Sequence, residues 1–112
     1  MVTAETAVVL PVLLLVLAGA VAAVTVVGAQ LRCVDAAREG ARAAARGEPA
    51  AVVETVISRA APDGATSVVS LGAEQVTVTV SARIAPLGPL PLVITVSAEA
   101  VAIREPALGA TG

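Results

Sequence analysis

The chain predicts an α+β protein: a long N-terminal membrane-spanning α-helix, a short second helix and a small antiparallel sheet of about three strands. Three observations lead there. Residues 6–31, between Glu5 and Arg32, carry no charge. Helix-favouring residues then continue without a proline to Arg46. Beyond residue 65, two stretches alternate apolar with polar residues, the period of a half-buried strand.

The uncharged run comes first. A bilayer core of about 30 Å needs roughly 20 helical residues, so the run is long enough to span with some left over. Its centre, Val12-Leu13-Leu14-Leu15-Val16-Leu17, is the most lipophilic part. A cleaved signal peptide has a basic start and a shorter apolar stretch; here the start is acidic, although Ala20-Val21-Ala22 has the form of a cleavage site. So short a chain cannot wrap such a helix in a soluble core. Pro11 lies within the helix and cannot donate to the Ala7 carbonyl, so a kink is expected there. Small residues four apart, Ala18/Ala22 and Gly19/Ala23, suit close approach of another helix.

The helix is expected to run from about residue 4 to 46, with Gly47 a suitable residue to end it. Arg38, Arg42 and Arg46 fall within about 80° of one another at 100° per residue, with Arg32 near the same stripe. Such a stripe is either a solvated face or a docking face for acidic groups on neighbouring subunits or lipid heads. Asp35–Arg38 and Glu39–Arg42 have the i,i+3 spacing of weak ion pairs. Orientation from charge alone is open: the N-terminal flank has no basic residue, and residues 32–48 hold four arginines against three acids.

These features define an anchor over residues 1–47, a small outer domain over 48–103 and a flexible tail over 104–112. Glu48-Pro49 restarts a helix in which Val52, Val53, Val56 and Ile57 share a face. Pro62-Asp63-Gly64 marks a turn. A short strand follows at 67–71, then a strictly alternating one at 75–84. After a proline-rich connection another alternating strand is expected at 92–103. About 55 residues without an aromatic side chain bury little surface, so the sheet is expected to need the long helix or a neighbouring subunit as cover.

The remaining composition is restrictive. Hydrophobic residues make up 57% of the chain and charged residues 14%, against about 25% usual for the latter. Histidine, lysine and all aromatic residues are missing. The common general bases, Schiff-base nucleophile and imidazole ligands are therefore lacking, so no enzyme, catalytic residue, cofactor or metal site is expected. A net charge of −2 and the lack of stacking rings argue against nucleic acid as a partner. The one cysteine, Cys33, is either a small helix residue or, outside the cell, a thiol for an intermolecular disulfide.

Two motifs carry a resemblance. Val2-Thr3-Ala4-Glu5-Thr6-Ala7-Val8-Val9-Leu10-Pro11, followed by an aliphatic run, resembles the N-terminus of TadE-like proteins. These are type IV pilin-like minor pilins or pseudopilins of the tight-adherence (Flp) pilus system. The segment from Ala36 to Ala44, with Ala37, Arg38, Glu39, Gly40, Ala41 and Arg42 at its heart, resembles that family's second motif. The resemblance covers about residues 2–46.

It implies a structural protein held in the cytoplasmic membrane by one helix, with its C-terminal part outside. Its partners would be membrane lipid, pilin subunits and pilus or secretion assembly proteins. A prepilin peptidase would join them if a leader precedes Met1. The resemblance also gives Glu5 and Pro11 a part in assembly, the Glu5 carboxylate pairing with a neighbouring subunit's N-terminal amine. An unpaired carboxylate near lipid is costly, which is the physical sense of such a pair; solvation of Glu5 at headgroup level is the alternative. The rival function is a small single-pass membrane regulatory or interaction protein unrelated to pili.

Overall fold

The computed structural model describes residues 2–104. Along the chain come α1 (Val2–Ala45), α2 (Ala50–Ala60), β1 (Thr66–Leu71), β2 (Gln75–Ile84) and β3 (Ile94–Ile103). The α+β architecture expected from the sequence is the one observed. Helix α1 is unbroken over 44 residues and continues through Pro11. It is long and apolar enough to cross a membrane. Its far end closes on Gly47, whose φ of 81° suits a residue without a side chain. The Gly47 N–H donates to the Ala44 carbonyl and the Glu48 N–H to the Ala43 carbonyl, the paired bonds of a Schellman cap.

Helix α2 begins after Pro49, whose carbonyl accepts from the N–H groups of Val52 and Val53. Only Val53 and Ile57, four residues apart, are buried. Val52 is 40% exposed, because it lies 100° round the helix from Val53. Of the expected apolar face, then, two residues form the contact, with Val56 half-buried beside them.

The sheet is antiparallel in the order β1-β2-β3. Strand β1 starts at Thr66, one residue earlier than expected, and β3 starts at Ile94 rather than Leu92. The prolines at 89 and 91 cannot donate to a ladder, and the Leu92 N–H is taken by the Leu90 carbonyl in a turn (2.7 Å). The alternation of β2 is realised in full. Val76, Val78 and Val80 are completely buried, with Ala82 almost so, while Thr77, Thr79, Ser81 and Arg83 face away.

The cover for that face is α1. Ala29, Cys33, Ala36, Ala37, Ala41 and Ala44 pack in one cluster with the β2 valines, Val96 and α2. The helix therefore supplies half of the outer domain's core, and residue 47 divides the chain by segment rather than by packed unit. Arg104 is not loose. Its N–H donates to the Glu74 carbonyl and its guanidinium to the Gly72 carbonyl (2.7 and 2.9 Å). The rest of the expected tail, 105–112, lies outside the described residues.

Candidate functional site

The site begins with what α1 leaves uncovered. From Val8 to Leu17 each large aliphatic side chain is at least half exposed, Leu15 at 74%. A continuous aliphatic surface of this length is not tolerated in water and belongs in lipid or against other helices. The one hydroxyl in the second half of the uncharged run, Thr25, donates back to the Val21 carbonyl, so its donor is satisfied within the helix. Glu5 sits in the first helical turn, where the N-terminal end of the helix dipole favours a carboxylate. Pro11 is six residues on, about 9 Å along the axis and 240° round it. The two residues expected to serve assembly therefore occupy different faces of the helix.

The second motif divides by face. Arg38, Glu39 and Arg42 are exposed, and Glu39 and Arg42 approach to 3.9 Å. The Asp35–Arg38 pair is not among the ion pairs of the described residues; the other is Arg46–Glu48, also at 3.9 Å. Ala37, Gly40 and Ala41 face inward. A methyl group on Gly40 would come within 2.6 Å of Ile57 Cγ1 and 2.7 Å of Ile57 Cδ1. The alanines and the glycine are thus a seam that lets α1 lie close to α2 and the sheet. In a helix so rich in alanine, residue type does not single out this face; the sheet and α2 packed against it do.

Cys33 lies on the same seam with no exposed surface. An intermolecular disulfide through it does not fit this placement, because the thiol is enclosed between helix and sheet. Burial raises its pKa above the ordinary thiol value, and the nearby Arg32 charge lowers it in part. The sign follows from this raised folded-state value. Stability from the neutral buried thiol is fully present below the unfolded-state pKa and is lost as pH rises through the folded one. We expect the alkaline fall in melting temperature to be shallower in Cys33→Ala than in the parent chain. The native thiol should also resist maleimide until the chain is unfolded. Rapid labelling of the native chain at neutral pH would contradict the enclosed position.

Two grooves flank the helix in the outer part. One, about 500 Å³, lies between Arg38, Ala41, Arg42, Ala45 and Arg46 on α1 and residues 100–103 of β3. The other, about 410 Å³, opens between α2, the end of α1 and the inner side of β1. Among the described residues no three of Cys, Asp and Glu gather into a group that could hold a metal ion. Among the described residues none of those in the core is polar.

Fold and site define a protein built as an apolar helical stalk that is also the cover of a small α+β head. A family profile described as TadE-like protein matches residues 1–42, the stalk and the second motif as far as Arg42. A Mycobacterium tuberculosis protein named Apoptosis inhibitor Rv3655c is 39% identical over 102 residues, which span 91% of this chain and 78% of that relative. No solved structure matches. The chain belongs to the TadE-like family.

Proposed function

We infer that the protein is a non-enzymatic, minor pilin-like or pseudopilin-like component of a tight-adherence (Flp-type) pilus or related secretion system. Residues 6–27 hold it in the cytoplasmic membrane, and the head lies on the outer side. The observation that carries this reading is the bare aliphatic surface of α1, which lies within the stretch shared with the family. In the membrane that surface meets lipid; in an assembly it meets the helices of pilin subunits. Glu5, near the start of the same helix, pairs with a neighbouring subunit's N-terminal amine. No cofactor takes part.

The test is substitution at Glu5. Glu5→Gln keeps size and hydrogen bonding while removing the charge, and Glu5→Ala removes both. Both variants should insert into the membrane as well as the parent, since a charge leaves the apolar flank. Incorporation into the assembled structure, followed by immunoblot of sheared surface fractions, should fall at least tenfold. Unchanged incorporation of both variants would reduce Glu5 to a headgroup anchor and remove the assembly role from this end of the helix. The name of the mycobacterial relative motivates a second reading, in which the head acts on a partner that controls cell death. That reading predicts that the head's surface, and not Glu5, carries the phenotype.

A further inference from the structure

The groove beside β3 has a hydrogen-bonding edge as well as a charge. Among the described residues strand β3 pairs with β2 alone, so its other side is an edge of the sheet. The Arg104 N–H donates to the Glu74 carbonyl, directly opposite it, which makes that pair a hydrogen-bonded one. In an antiparallel ladder bonded and non-bonded pairs alternate. Ala98, Ala100 and Ala102 therefore bond inward to β2, while Ser97, Glu99, Val101 and Ile103 turn their N–H and C=O groups outward. The Ser97 carbonyl agrees with this phase: it accepts from Gln30 Nε2 on α1 (2.8 Å). Among the described residues nothing bonds to the outward groups of Glu99, Val101 and Ile103.

The other wall of the groove supplies the charge. Gln30 meets Ser97 and residues 38–46 flank 100–103, so α1 and β3 run past each other in the same direction. Arg38, Arg42 and Arg46 recur every four residues, about 6 Å apart along the helix. Alternate side chains of an extended strand are about 6.6 Å apart. The spacing of the guanidinium groups thus matches carboxylates at every second residue of a strand laid in the groove. The pairs Arg42–Glu39 and Arg46–Glu48 are long and exposed, worth little, and readily exchanged for better partners.

We propose that the β3 edge at residues 99–103 receives an extended acidic segment of a partner protein by strand addition, its alternate carboxylates held by Arg38, Arg42 and Arg46. Backbone pairing supplies affinity and the arginines supply register and choice. Lipid heads suit the stripe less well, since Arg46 lies about 28 Å along the helix beyond residue 27. A second copy's β1, Thr66–Leu71, suits it less well too, since that strand carries no charge. The groove exists whichever assembly the chain serves, so this proposal and the pilus reading fail separately.

The test uses the full chain in nanodiscs of zwitterionic phosphatidylcholine. The probe is a fluorescein-labelled eight-residue peptide alternating glutamate and valine, read by anisotropy. Saturable binding is expected, weakened at least tenfold in an Arg38→Gln, Arg42→Gln double variant whose substitutions are both on exposed side chains. Two further peptides carry methyl groups on the backbone nitrogens of the glutamates or of the valines. One of them should bind at least tenfold more weakly at identical charge, because only one set of amides can face β3. Equal binding of both methylated peptides would reduce the contact to charge alone and overturn strand addition. No binding of the parent peptide, or unchanged binding to the double variant, would overturn the proposal outright. So would self-association of the chain that the peptide does not displace, which would give the edge to a second copy.

Discussion

Residues 28–104, expressed as a soluble fragment, will melt cooperatively as a folded unit, whereas residues 49–104 will show no cooperative transition or will aggregate. The shorter fragment keeps α2 and all three strands but loses Ala29, Cys33, Ala36, Ala37, Ala41 and Ala44 from over the sheet. Val76, Val78 and Val80, completely buried in the intact chain, would then face water. Burying each is worth about 1.5–3 kcal/mol, and a domain this small has only about 5 kcal/mol to lose. Circular dichroism melts and the amide dispersion of an NMR spectrum decide it. A monomeric 49–104 that melts at the same temperature as 28–104 would make α1 a stalk only, and its packing on the sheet dispensable.

Gly40→Val will lower the melting temperature of the 28–104 fragment by about 4–24 °C. A side chain at this position meets Ile57 at 2.6 Å, in a seam closed on the other side by Val78. Overpacking of this kind costs about 1–3 kcal/mol, and about 4–8 °C accompanies each kcal/mol in a domain of this size. Gly40→Ala sets two effects against each other: alanine favours helix by about 1 kcal/mol, and its methyl group still collides with Ile57. The pair is therefore coupled. On an Ile57→Ala background, where both colliding atoms are gone, Gly40→Ala should turn neutral or stabilising. Equal effects on the two backgrounds would mean that the close approach at Gly40 does not limit packing.

The features legible in the sequence were those written in a single segment. The uncharged run of 6–31 needs no partner to declare a helix of membrane length. The alternation in β2 assigns its own faces, and Gly47 marks its own helix end. The features not legible depend on a second segment. Cys33, Ala36 and Ala37 differ little in character from the exposed Ala20 and Ala23, and only the sheet, some forty residues further on, separates the buried set from the bare one. Strand β3 starts at Ile94 although the alternation extends back to Leu92, because the neighbouring prolines withhold the ladder. Among the candidate site residues, the arginine stripe was visible as spacing. That it borders the open edge of β3 follows from strand order, which the spacing does not encode.

Because α1 continues from the aliphatic stalk into the head without a break, the two are torsionally locked. A helix turns 100° per residue, so the direction in which the head presents its groove is set by which side of the stalk meets its neighbours. Inserting one alanine between Gly28 and Ala29 would swing the head through about 100° about the stalk axis while leaving the composition of both parts intact. Inserting seven would bring it back to within about 20° of its starting azimuth, displaced outward by about 10 Å. The length of the uncharged run thus acts as an angular register as well as a measure of membrane thickness.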